Sequence, residues 1–144
     1  MVLMFSKILV AFDGSDQSKK AMEFALQLTK TYSSQLEVIH VYNYPRFILG
    51  EAILPVPSYL LKEQQDYTKL VLDEANQWIE SVSGAKVTLL HGLPAKTIID
   101  FAEENNCELI IIGSRGLGGI SEIVLGSVSH NVVQHSKIPV LIIK

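Results

Sequence analysis

Short, nearly unbroken apolar runs alternate along the chain with longer stretches in which apolar residues recur every three or four positions. The runs at 7–12, 36–42, 86–91, 108–113 and 139–144 are rich in Val, Ile and Leu. Continuous apolar character over so few residues predicts strands covered on both faces, as in a parallel sheet. Leu109-Ile110-Ile111-Ile112, four branched residues ending at a glycine, is the plainest instance. Between the runs, Ser15 or Asp16 is placed to cap a helix carrying Ala21, Phe24, Ala25 and Leu28 on one face. A second helix is expected from about Ser58 to Ser83, with Leu60, Tyr67, Val71, Ala75, Trp78 and Val82 inward and Gly84 as its stop. Pro94 suits the first turn of a third helix that buries Ile98, Phe101 and Ala102. Ser127 or Ser129 opens a fourth, which ends before Pro139.

The order β-α-β-α-β-α-β-α-β defines an α/β fold: a doubly wound five-stranded parallel sheet, helices on both faces, right-handed crossovers. The pattern alone admits the strand order 3-2-1-4-5 or the flavodoxin-like 2-1-3-4-5. Residues 43–57, with Pro45, Pro55 and Pro57, show no period. A segment of that length is expected either as a functional cover or as a mobile crossover.

Composition narrows the classes. A chain of 144 residues that is 48% apolar suits one domain over 1–144 and excludes disorder as the main state. Twelve basic against fifteen acidic residues, net −3, leave no broad cationic face for nucleic acid. No run reaches the roughly 20 apolar residues that cross a bilayer. Residues 1–12 include Lys7 and lead straight into Asp13, so they are read as a buried strand rather than a leader. The single cysteine, Cys107, excludes an internal disulfide and fits a reducing, cytoplasmic setting. Cys107 is expected as a buried inert thiol, and Trp78 and Tyr67 as core residues. His40, His91, His130 and His135 lack metal-ligand spacing and are expected to be structural or superficial.

In open α/β sheets ligands sit at the carboxyl ends of strands where the order reverses. For the order 3-2-1-4-5 that crevice lies between the first and fourth strands. The loops there are Phe12-Asp13-Gly14-Ser15 and Gly113-Ser114-Arg115-Gly116-Leu117-Gly118-Gly119. Glycines let backbone N–H groups approach an anion with no Cβ in the way. Gly126-Ser127 then opens a helix whose unpaired N–H groups favour negative charge, with the hydroxyls of Ser127 and Ser129 as further donors. Arg115, one of two arginines, adds charge. Glycine richness alone would equally describe a plain flexible loop before a helix cap. A P-loop is excluded because no lysine follows a glycine in frame. A dinucleotide fingerprint fails because the frame from Gly116 and Gly118 reaches Ser121 rather than glycine, and Asn43 stands where an acid would be needed.

The spacing that does fit is Gly113-x2-Gly116-x9-Gly126-Ser127, joined by Val10-Ala11-Phe12-Asp13-Gly14-Ser15 and His40-Val41-Tyr42. With these marks the chain resembles, end to end, the ATP-binding subgroup of the universal stress protein family. The resemblance implies the 3-2-1-4-5 order, a Rossmann-like sheet of the adenine-nucleotide alpha hydrolase type, and an ATP cleft. It places Asp13 at the ribose or near a phosphate-bound Mg²⁺, and Val41 at adenine with Ala11 and Phe12 beside it. Ile112 and Gly113 would line the ribose side, and Gly116, Gly126, Ser127 and Val128 would hold the phosphates. Arg115 and Ser129 join them on charge and place.

The resemblance also implies a homodimer through the last strand, Val140, Leu141, Ile142 and Ile143, an apolar edge that needs cover. The expected function is that of an ATP-binding, dimeric sensor or adaptor in stress response. Such a protein would be read by a protein partner, and would catalyse no efficient reaction. The alternatives are a slow ATPase or phosphotransferase, or a structural dimer holding another adenine nucleotide such as AMP or a cyclic nucleotide.

Overall fold

A computed structural model describes residues 4–44, 46–116 and 125–144. Residues 1–3, Pro45, and 117–124 lie outside the described residues; the last include Gly118 and Gly119 of the expected phosphate loop.

The strands are β1 (Lys7–Ala11), β2 (Gln35–Tyr42), β3 (Phe47–Leu49), β4 (Ala52–Leu54), β5 (Lys86–His91), β6 (Leu109–Gly113) and β7 (Val140–Ile143). The helices are α1 (Asp16–Tyr32), α2 (Ser58–Trp78), α3 (Pro94–Glu104) and α4 (Ser127–His135). Five strands form one sheet in the order β5-β2-β1-β6-β7, every pair parallel. Counted along the sheet's own strands this is the order 3-2-1-4-5, and it settles the choice that the pattern left open.

The apolar runs form central strands because both faces are covered. Ile8, Val10, Phe12, Leu36, Val38 and Ile111 pack with Ala21, Met22, Ala25, Val71 and Ala75 of α1 and α2. Leu9, Ile39, Ile110 and Ile112 face the other way, toward Ile98 and Ala102 of α3 and Val132 of α4. Each such aliphatic side chain removed from water contributes about 1.5–3 kcal/mol. β6 is buried along its whole length, as its unbroken run required.

Four expectations change. The buried strand expected over residues 1–12 is shorter among the described residues: β1 begins at Lys7, and Met4 is exposed. Phe24 is exposed rather than inward. The buried stripe of α1 runs through Ser18, Ala21, Met22, Ala25 and Thr29, and Phe24 falls about 100° around the helix from Ala25. α2 ends at Trp78, with Ile79 at the cap; Ile79 and Val82 still pack on the core, but through turns. Gly84, the expected stop, sits beyond them at φ +76°. Finally, residues 43–57 are not structureless: β3 and β4 form an antiparallel hairpin across Gly50 and Glu51, with Gly50 at φ +61°.

Candidate functional site

β1 and β6 lie side by side, with Val10 opposite Ile111, so their carboxyl ends open into the same space. The chain leaves β1 for α1 and β2 on one side, and leaves β6 for α4 and β7 on the other. This reversal creates a crevice. A cavity of about 550 Å³ fills it. Its walls include each residue expected at a nucleotide: Ala11, Phe12, Asp13, Val41, Ile112, Gly113, Arg115, Gly116, Gly126, Ser127, Val128 and Ser129. Ser15 of the first crevice loop and His40 beside Val41 also line it, as do Ser18, Ile39, Pro94 and Ile98, which the sequence did not single out for this site. Pro94 and Ile98 come from α3, which the strand-end rule does not mention; only the observed packing of α3 on this face brings them in.

Asp13 is held from several directions. Its N–H donates to Ser18 Oγ (3.3 Å), and its Oδ1 accepts from the Ser15 N–H (2.9 Å). Its carbonyl oxygen accepts from the Tyr67 hydroxyl of α2. Ser15 caps α1, its side chain accepting from the Ser18 N–H at 3.2 Å. The second carboxylate oxygen, Oδ2, lies 2.6 Å from where a Cβ on Gly116 would stand. Any larger residue at 116 would therefore push the carboxylate aside. Among the described lining residues, Asp13 and the half-buried Arg115 carry the formal charges.

The other two glycines of the frame answer to different neighbours. A Cβ on Gly113 would lie 2.9 Å from Gln17 Cβ and 3.0 Å from the Gln17 backbone carbon, so Gly113 lets the first turn of α1 cross β6 closely. A Cβ on Gly126 would meet nothing nearer than Ser114 O at 3.5 Å, and its φ of −70° suits any residue. None of the described residues demands glycine at 126, where a Cβ would make only ordinary contacts, and Gly126 lies on the cavity wall.

Ser114 ties the loop shut. Its N–H donates to Ile143 O (2.7 Å), its hydroxyl to Gln17 Oε1 (2.5 Å), and its carbonyl accepts from Gly126 N–H (2.7 Å) and Ser129 Oγ (2.8 Å). The buried Ser129 hydroxyl donates to Ser114 O and Gly126 O while the residue lines the cavity. The first-turn N–H groups of α4, from Ser127, Val128 and Ser129, remain as donors at the cavity wall.

Two groups behind the crevice complete its electrostatics. His40 is buried, and its Nδ1 donates to Phe12 O at 2.9 Å; Nε2 has no partner among the described residues. Burial pushes its pKa below the usual 6.5, against the opposing effects of the Phe12 bond and the Asp13 charge, so the ring is neutral. Tyr67 is pushed up to about 12, first by burial and then by the Asp13 and Glu74 charges, which keeps its hydroxyl protonated as a donor. Cys107 is buried before β6 and its thiol is raised to about 11, chiefly by burial, as an inert thiol should be. No group of three His, Cys, Asp or Glu side chains forms a metal site among the described residues. No described helix is long and apolar enough to cross a membrane.

Fold and site together define an α/β protein with an anion-compatible crevice at the switch point of a 3-2-1-4-5 sheet. The chain belongs to the universal stress protein family, which it matches over residues 4–144. It is 36% identical to the universal stress protein YxiE of Bacillus subtilis, over 98% of this chain and all of that one. Its fold is similar to that of the universal stress protein UspA from Lactobacillus plantarum, with a TM-score of 0.79 at 24% identity, covering 98% of this chain and 99% of that one. It is also similar to a universal stress protein solved in complex with cAMP, with a TM-score of 0.72 at 25% identity and 97% of both chains covered.

Proposed function

We propose that this protein binds an adenine nucleotide, ATP with Mg²⁺ foremost, in the crevice between β1 and β6. The observation that carries the reading is Gly126: a Cβ there would meet the described residues only at ordinary contact distance, and the first-turn N–H groups of α4 lie on the same wall of the cavity. A phosphate is the group that such a wall suits. The base would lie by Val41, Ala11 and Ile112, whose surroundings are apolar, and the sugar between Asp13 and Gly113. Mg²⁺ would be held mainly by phosphate oxygens, with Asp13 the one carboxylate of the described lining. The related protein bound to cAMP supports the adenine class, and a cyclic or monophosphate ligand is the second reading.

Binding without efficient turnover fits the chemistry best. Hydrolysis needs a base that positions water at the terminal phosphate. Asp13 is the lone carboxylate of the described lining, and its Oδ1 already accepts the Ser15 N–H. The protein would then act as a nucleotide-dependent sensor or adaptor in the cytoplasm, as a homodimer joined along Val140, Leu141, Ile142 and Ile143. β7 is an edge strand, which supports that arrangement.

Calorimetric titration with ATP and Mg²⁺, with AMP and cAMP in parallel, tests the reading against Gly126→Asp. Aspartate is a strong helix cap and suits the dipole, so it should hold or raise stability by about 0.5–1 kcal/mol. Its charge falls where the phosphate would lie. Micromolar ATP binding that is lost in a variant of undiminished thermal stability is the expected result. Equal affinity in both proteins, or no binding and no nucleotide released on extraction, would overturn it.

A further inference from the structure

The residues lining the crevice come from β1, β2, β6, α1, α3, α4 and the loops beside them, yet Asp13 is also bonded from α2, which contributes none of them. Tyr67 lies on α2, 54 positions from Asp13, and its hydroxyl donates to the Asp13 carbonyl oxygen. Gly14, next in the chain, is glycine for its backbone conformation and packs under the same helix at ordinary contact distance. It takes φ +82°, and a Cβ there would stand 3.5 Å from Tyr67 Oη and 3.4 Å from Val71 Cγ2. The Tyr67 ring meets His40 edge-on at 6.2 Å, and His40 holds the neighbouring carbonyl of Phe12. Two consecutive carbonyls at the end of β1 are thus fixed by side chains of two other elements.

We propose that Tyr67 is a positioning residue for nucleotide binding, acting through Asp13 by anchoring the strand end from which that carboxylate reaches the crevice. The proposal rests on the nucleotide reading above and adds α2 to the elements that shape the site. With its carbonyl held by Tyr67, its N–H by Ser18 and its Oδ1 by Ser15, Asp13 leaves Oδ2 as the atom facing Gly116 across the opening. A carboxylate placed in advance loses less freedom when ligand arrives, and affinity gains by that amount. α2 begins four residues after the β3–β4 hairpin ends at Leu54. A displacement of that helix would therefore reach Asp13 through the Tyr67 hydroxyl as well as through the packing of Val71 beside Gly14.

The test uses Tyr67→Phe, which keeps the ring and removes the donor, in wild-type and Asp13→Ala backgrounds. Tyr67→Phe should weaken ATP binding about fivefold to tenfold, the usual scale for one lost hydrogen bond. It should add no further loss once Asp13 is Ala, because the effect runs through that carboxylate. A merely structural role would lower affinity equally in both backgrounds and overturn the proposal, as would unchanged affinity. A ligand-free measurement stands beside it: amide exchange of Ser15, whose N–H donates to Asp13 Oδ1, should quicken about fivefold to tenfold in Tyr67→Phe. Unchanged exchange would overturn the positioning role even if ATP binds. Quickened exchange in a protein that binds no nucleotide would overturn the nucleotide reading while the anchoring of Asp13 stands.

Discussion

Gly113 and Gly126 belong to one sequence frame but are glycines for different reasons. Gly113 sits under the Gln17 backbone, where a methyl group would have to displace α1, whereas a Cβ on Gly126 would make only ordinary contacts with the described residues. Gly113→Ala should accordingly destabilise the fold by about 1–3 kcal/mol, the usual range for overpacking a rigid contact. Urea denaturation of this variant beside Gly126→Asp will show the contrast: one falls in stability, the other does not. The glycine spacing was legible in the sequence because it is a linear pattern. The division of labour within it was not, since the crossing of α1 over β6 is set by packing between residues 96 positions apart. Tyr67 was hidden for the same reason. Its periodicity places it on the inner side of a helix, and only the topology brings its hydroxyl to Asp13.

Elements were read well where burial is two-sided. β6 and β2 follow from their apolar runs, and α1 and α3 follow from Ser15 at a cap and Pro94 at a first turn. The hairpin was missed because its pattern has no hidden face. Ile48, Leu49 and Ile53 are each more than 60% exposed, so neither strand alternates inward and outward. Such a surface lies far above what a solvated loop requires, and it adds little to folding. Replacing the cross-strand pair Ile48 and Ile53 by Lys and Glu should leave stability within about 0.5 kcal/mol, since opposite charges suit facing positions. Light scattering of the two proteins at equal concentration should show less self-association in the double variant.

For the molecule as a whole, the strand order fixes both the crevice and the two edges, β5 and β7. The sequence supplied five strands in order but two sheet orders compatible with them; the resemblance chose between them, and the pairing of β1 with both β2 and β6 bears that choice out. On β7, Pro139 O and Ile143 O accept from Ile110 N–H and Ser114 N–H, so the alternate residues Val140 and Ile142 direct their backbone groups away from the sheet. Ile142→Pro removes an outward donor and leaves the ladder to β6 intact. If β7 joins two copies, sedimentation should show this variant shifted from dimer toward monomer. The same sedimentation profile for both proteins would exclude that edge.

The contact between Gly116 and Asp13 also has a historical consequence. A descendant of this chain that ceased to need its ligand would be released from constraint unevenly. Position 126 would drift first, because none of the described residues requires glycine there, and 116 would follow only after Asp13 had been replaced. Position 113 would stay glycine throughout, holding α1 in place. The frame would decay in a fixed sequence, and a relative keeping only its first glycine would be a lineage that retained the architecture and abandoned the site.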